Sequence, residues 1–251
     1  MSAAHQPRIA IFGATSDIAV AYARRSALKG ARLVLFARDA AALDAVAADL
    51  KARGATAVEV RHADFSDLSA LPQVSGAAWS AFGGLDVALI AYGSLPDQAA
   101  LNADPVALKA ALDLNFVSPA LLANLLAEPF AAARAGAIAV ITSVAGDRGR
   151  QSNYAYGAAK GGCQTFLEGL RHRLFPAGVT VLDIRPGFVA TKMTAHLPQG
   201  GPLWATPDQV AGDIAAALEK GRAVLYTPWF WWPIMTIVKA VPRAIFHRTK
   251  L

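Results

Sequence analysis

Short apolar runs alternate with longer stretches of helical periodicity along this chain. The runs cover 8–12, 32–36, 56–61, 85–91, 137–142, 179–184 and 223–226. Between them, apolar positions at helical spacing predict a helix from the turn after the first run to about 29, then helices over about 40–53, 69–81, 105–133, 154–175 and 207–220. The runs are continuously apolar rather than alternating, which is the mark of strands covered on both faces. Strand–helix alternation of this kind predicts a parallel sheet with helices on either side. Six or more such units fit a doubly wound open α/β sheet, which places ligands beyond the carboxyl ends of its strands. No linker or internal repeat divides the chain. The longest Pro/Gly-rich break, 195–206, follows the sixth run, where a lid would sit.

Composition narrows the class. With 251 residues, 55% of them hydrophobic and 17% charged, the chain can fill one sizeable core and is not disordered. Cys163 stands alone, so no internal disulfide forms, and a reducing, cytoplasmic setting is expected. His5, His62, His172, His196 and His247 are dispersed without zinc-ligand spacing, and no metal is expected. The polar start lacks a signal-peptide core, and no unbroken run of about 18 residues reads as a transmembrane helix. A net charge of +6 favours acidic partners, but no nucleic-acid motif accompanies it.

The stretch Gly13-Ala14-Thr15-Ser16-Asp17-Ile18-Ala19 follows the first strand and opens the first helix. Backbone N–H groups and a helix N-terminus there can cradle a phosphate. Asp17 and Ala19 stand where further glycines would be expected, and an ordinary turn with Ser16 or Asp17 as helix cap is the plainer reading. Beyond the second strand, Ala37-Arg38 replaces the carboxylate that binds a ribose 2′-hydroxyl. An arginine there accommodates a 2′-phosphate, so NADP(H) is favoured while NAD(H) stays open. Asp64 and Phe65 beyond the third strand are candidates for the adenine. Ala91 and Gly93, either side of Tyr92, could let the backbone approach the cofactor.

The most informative segment is Ser143 followed, 13 residues on, by Tyr156 and Lys160. Tyr156 and Lys160 lie four apart and share one helix face. A free phenol near pKa ~10 is a poor acid at neutral pH. A neighbouring ammonium favours its anion, so the pair can pass a proton to or from a carbonyl or alcohol oxygen. Ser143 can hydrogen-bond the same oxygen, and Asn115 on the preceding helix can relay protons to Lys160.

These residues, with Gly13–Ala19, Asp64 and the Pro186-Gly187 pair, resemble the classical short-chain dehydrogenase/reductase family over essentially the whole chain. The resemblance implies a single-domain, Rossmann-type, seven-stranded parallel sheet, an NAD(P) cofactor and a homo-oligomer. It also implies the tetrad Asn115, Ser143, Tyr156, Lys160, with Tyr156 and Lys160 also touching the cofactor. Pro186, Gly187, Val189 and Thr191 would wall the nicotinamide. Ala91-Tyr92-Gly93 departs from the family's Asn-Ala-Gly, and the loop after Ser143 is unusually basic. The dehydrogenase domain would span 1–226 with a substrate lid at 188–207.

Two features bear on the substrate. Arg148 and Arg150 lie between catalytic residues and suggest an anionic substrate, although solvated arginines or an Arg148–Asp147 pair would look the same. Met193 is a further candidate contact. The tail, 227–251, carries Trp229, Phe230, Trp231 and Trp232, then Lys239, Arg243, His247, Arg248 and Lys250, with no acidic residue after Glu219. Pro228 and Pro233 break the run against a spanning helix. Peripheral membrane contact and packing in a core or oligomer interface are the two readings of this segment. Loop and tail together resemble one subgroup, the decaprenylphosphoryl-2-keto-ribose (2-keto-erythro-pentose) reductases of the arabinose-donor epimerase pair. That implies a polyprenyl-phosphoryl keto-sugar substrate, made by a partner oxidase. A soluble reductase of small ketones or acyl substrates, and a non-catalytic nucleotide-binding scaffold, are the competing readings.

Overall fold

The computed structural model describes residues 6–249. Lys250, counted above among the basic tail residues, and His5 lie outside them. In chain order the elements are β1 (Arg8–Phe12), α1 (Asp17–Ala27), β2 (Arg32–Ala37), α2 (Ala40–Ala52), β3 (Ala57–His62), α3 (Leu71–Ser80) and β4 (Val87–Ile90). Then come α4 (Gln98–Ala103), α5 (Pro105–Leu112), α6 (Ser118–Ala133), β5 (Ala137–Ile141), α7 (Tyr154–Leu174), β6 (Thr180–Pro186), β7 (Phe188–Val189) and β8 (Trp204–Ala205). The chain closes with α8 (Pro207–Glu219), β9 (Val224–Thr227), α9 (Trp231–Ala240) and α10 (Arg243–Phe246).

The main sheet is parallel and seven-stranded, in the order β3-β2-β1-β4-β5-β6-β9. Strand order reverses beside β1, which pairs with both β2 and β4, so a crevice opens at their carboxyl ends. Alternate residues of each strand feed opposite layers. Ile9 and Ile11 pack with α1, α2 and α8, whereas Ala10 and Phe12 pack with α3, α6 and α7. This is a Rossmann-type single domain, as the alternation of runs requires.

The structure corrects the sequence reading in two places. The stretch 105–133 is not one regular helix: a π-helical turn over Asp113–Val117 separates α5 from α6, and Ser118 N–H reaches back five residues to Asp113 O. By length and composition the stretch could cross a membrane, contrary to the expectation of no such segment. Its Leu122, Leu126 and Phe130 are nonetheless fully buried in the core, as in the core helix of a folded domain. In the tail, Pro233 starts a helix rather than breaking one. It falls in the first turn of α9, where a missing N–H costs nothing.

Beyond the sheet, β7 and β8 form a two-stranded parallel ribbon inside the expected lid. The tail folds back on the catalytic side of the domain, where Trp231 and Met235 are buried against Val144. Trp229 and Trp232 stay exposed, at 77% and 61%. The run of aromatics is therefore split between core and surface.

Candidate active site

A cavity of about 790 Å³ lies at the carboxyl ends of the strands, at the switch point. Its dinucleotide end is built by backbone. Gly13 leaves β1 at φ +85°, and a Cβ there would sit 2.8 Å from the Tyr92 nitrogen. Only glycine permits that approach. Ser16 caps α1 through Ala19 N–H, and Thr15, Ser16, Asp17 and Ile18 all line the cavity. The site thus offers a helix N-terminus with backbone exposed beside it, which fits a pyrophosphate. Asp17 plays an additional part: its carboxylate accepts the Lys192 backbone N–H at 2.7 Å, tying this turn to the lid.

Arg38 lines the cavity and, among the described residues, forms no salt bridge. Its neighbour Asp39 is occupied in capping α2 through Ala42 N–H. Phe65 and Tyr92 stack with centroids 4.0 Å apart, and Ser118 joins them, its hydroxyl bonded to the Tyr92 hydroxyl and to Phe65 O. Phe65, Tyr92 and Ser118 thus form a braced aromatic wall. Burial pushes its hydroxyl pKa well up. Asp64 does not line the cavity. Its carboxylate accepts the Ser66 N–H and O–H, which, with the nearby Arg38, holds it below the usual range.

At the other end, Asn115, Ser143, Tyr156 and Lys160 converge on the same cavity. The π-helical turn widens the helix at Asn115, which is 1% exposed. Its Nδ2 donates to Ala111 O at 3.0 Å, and its Oδ1 accepts from Ser94 N–H at 3.0 Å. π turns of this kind gather at functional sites. Lys160 is buried, with Nζ donating to Ile141 O at 3.0 Å and standing 5.7 Å from the Tyr156 ring centroid. A Cβ on Gly93 would lie 2.7 Å from Asn115 Oδ1 and 3.6 Å from Lys160 Nζ. The bare glycine therefore keeps the space between these two groups open. Ser143 accepts Ala145 N–H at its Oγ, which leaves its own O–H free to donate. Among the described residues none hydrogen-bonds the Tyr156 hydroxyl.

Sequence reading missed what seats the tetrad. Residues 144–147 form a 3-10 turn that presses on α7 through glycines. A Cβ on Gly146 would meet Gly161 N at 2.6 Å, and one on Gly157 would meet Ala145 O at 2.9 Å. Asp147 is buried and takes hydrogen bonds from Arg185 Nη1 at 2.9 Å and from Tyr226 O–H at 2.8 Å. Arg185 also holds Asp183, which accepts the Thr142 hydroxyl. Burial first, then the Asp147 hydrogen bond, pushes the Tyr226 hydroxyl up to about 12. This network clamps the loop after Ser143 onto β6 and β9.

The two loop arginines part company. Asp147 is spoken for by Arg185, so Arg148 turns to the tail. Its Nη1 donates to the carbonyls of Val238, Lys239 (3.2 Å) and Val241 (2.8 Å), and its guanidinium stacks 3.7 Å over the Phe246 ring. Arg148 does not line the cavity. Arg150 does, as do Met193 and the residues expected to wall the nicotinamide, Pro186, Gly187, Val189 and Thr191. Ala91 and Gly93 line it too. Trp231, not foreseen as a site residue, packs its indole edge directly over Gly187, where an added Cβ would fall 1.9 Å from Nε1.

The residues present fit a nicotinamide dinucleotide, with the phosphate turn at one end and the tetrad at the other. When bound and reduced, that group supplies a hydride. The chain's own groups can supply the rest: Tyr156 can give a proton to a substrate oxygen, Ser143 can donate a hydrogen bond to it, and Lys160 can stabilise the phenolate that remains.

Comparison with known proteins agrees with this geometry. A family model described as short chain dehydrogenase matches residues 7–201. An uncharacterized oxidoreductase of Mycobacterium tuberculosis (strain ATCC 25618 / H37Rv) is 38% identical over 240 residues, covering 96% of each chain. A 3-oxoacyl-[acyl-carrier-protein] reductase of Synechocystis sp. (strain ATCC 27184 / PCC 6803 / Kazusa) is 32% identical over 212 residues, 81% of this chain and 85% of its own. A short-chain dehydrogenase from Sphingobium yanoikuyae, solved in complex with NADPH, superposes with a TM-score of 0.80 at 25% identity, covering 95% of this chain and 97% of its own. The family model covers well over half of the chain and the similarity to these relatives runs along almost all of it, so the protein belongs to the short-chain dehydrogenase family of NAD(P)-dependent oxidoreductases.

Proposed function

We propose that the protein is an NADPH-dependent reductase of a ketone carried on an anionic, apolar-tailed molecule, a polyprenyl-phosphoryl keto-pentose of the decaprenylphosphoryl type. The observation that carries this reading is the Arg150 guanidinium, which lines the same cavity as the Tyr156 hydroxyl. Exposed apolar side chains support it: Phe188, Met193 and Leu203 in the lid, and Trp229, Trp232 and Ile237 on the tail. Lys239, Arg243 and Arg248 give that tail a basic surface, which suits peripheral contact with an anionic membrane from the cytoplasmic side. An alcohol oxidase would then have to supply the keto-sugar. The half-buried Phe116, Leu125 and Phe166 beside exposed Leu121 offer a face for self-association. Arg38, lining the cavity with no salt bridge among the described residues, favours NADPH over NADH.

A second reading is reduction of 3-oxoacyl thioesters, favoured by the similarity to the Synechocystis reductase. The test is cofactor oxidation by the purified protein with a polyprenyl-phosphoryl 2-keto-pentose, a 3-oxoacyl thioester and small neutral ketones. Turnover confined to the first supports the proposal. Preference for the thioester gives the second reading, and turnover of neither overturns both.

A further inference from the structure

Among the described residues, three buried side-chain polar atoms have no hydrogen-bond partner: Arg150 Nε, Asn153 Oδ1 and Trp231 Nε1. All three residues line the catalytic cavity. Folded proteins leave few such atoms, because each forfeits its bonds to water without replacement. The core, the second crevice around Tyr22 and Glu219, and the helix faces contribute none. The three come from two distant stretches. Arg150 and Asn153 flank one turn, with Asn153 N–H donating to Arg150 O at 3.1 Å. Trp231 arrives from the tail and lies over Gly187, beside the nicotinamide wall.

We propose that these atoms form a subsite for a hydroxylated oxyanion, the part of the substrate next to the ketone. The chemistry follows from the donor set. Arg150 offers a cation and Trp231 a neutral N–H, so two acceptor oxygens of one acid group can be met. Asn153 offers an acceptor, which asks for a ligand hydroxyl. No carboxylate pairs with Arg150 among the described residues. The nearest acid in sequence, Asp147, is engaged by Arg185, Tyr226 and Lys239. Burial without a countercharge disfavours the guanidinium's charged form, so an incoming anion has a solvation debt to relieve. A phosphate ester and a carboxylate share this chemistry. Arg148, held by the tail, takes no part.

This inference rests on the proposed reduction of an anionic ketone but can fail separately from it. The experiment is calorimetric titration of the NADPH-loaded protein with glycerol 1-phosphate, glycerate and, as a neutral control, glycerol. Binding of either anion with none of glycerol is expected. Arg150→Met should weaken it at least tenfold and Trp231→Phe severalfold, while NADPH affinity stays within twofold in both. Preference between the two anions distinguishes a phosphate from a carboxylate. Equal binding of glycerol, equal binding in Arg150→Met, or loss of NADPH affinity in the variants overturns the subsite. Failure to bind either anion also overturns it, even where the wild-type protein reduces neutral ketones. Conversely, anion binding without turnover of any ketone leaves the subsite and removes the reductase reading. The comparison of the three ligands on the wild-type protein needs no variant to fold.

Discussion

At the dinucleotide end of the cavity, a backbone turn meets a backbone turn: Gly13 lies against Tyr92, with Ser16 and Asp39 spent on helix caps. At the substrate end, side chains from the loop after Ser143, from β6, from β9 and from α9 interlock. The first end rests on main-chain geometry, both where Gly13 meets Tyr92 and where Asp17 holds the Lys192 N–H, 175 positions on. The second rests on side-chain bonds, among them that from Arg148 to the Val241 carbonyl, 93 positions on. The first end therefore depends little on which side chains surround it, whereas the second loosens when one linking side chain is lost.

The largest test of this contrast lies where the two ends meet. Tyr156→Phe should lower kcat on the order of 10³-fold while leaving NADPH binding intact, as measured by steady-state kinetics and cofactor fluorescence. Retained turnover would mean that another group delivers the proton. Next is the glycine seat. Gly161→Val places a Cβ about 2.8 Å from Gly146 O. Overpacking of this kind costs ~1–3 kcal/mol. Because α7 carries Tyr156 and Lys160, kcat should fall together with the melting temperature. An unchanged kcat would show that the 3-10 turn does not hold the tetrad.

The paired arginines sharpen the comparison. Arg148→Ala removes bonds to three tail carbonyls and the Phe246 contact, and should cost about 2 kcal/mol in stability. It should also make the tail more sensitive to protease. Arg150→Ala should leave stability level or slightly higher, since it removes a buried, unpaired charge, and should raise substrate KM instead. The reverse pattern would exchange their roles. At the cofactor end, Arg38→Ala should raise the KM for NADPH roughly tenfold with little change for NADH.

The smallest effect is alkaline. With the Tyr226 hydroxyl raised from 10.0 to about 12, the unfolded chain loses its phenolic proton first. Stability should therefore decline between those values as pH rises, and Tyr226→Phe should flatten that part of the curve. Urea unfolding across the range would measure it.

Much of this was readable from residue order alone. The continuous apolar runs marked the buried parallel strands, and the spacing of Ser143, Tyr156 and Lys160 singled out residues that the fold brings to one cavity. The π-helical turn was not legible. It depends on Asn115 finding Ser94 and Ala111, and no periodicity in 105–133 encodes that. Arg148 looked equivalent to Arg150 because the sequence does not show that Arg185 has already taken Asp147. Trp231 looked like its neighbours Trp229 and Trp232, and only the bare α-carbon of Gly187, 44 positions earlier, singles it out. Pro233 read as a breaker because its effect depends on whether it falls in a helix's first turn or its interior.

The fold-back of the tail also sets an order of events during synthesis. The four tetrad residues have all emerged once α7 has, but Trp231 and the segment that Arg148 grips are made only later, after β9. A nascent chain ending before β9 therefore carries its proton donor without the wall that covers Gly187. The cavity takes its finished shape only after α9 has followed β9 out of the ribosome.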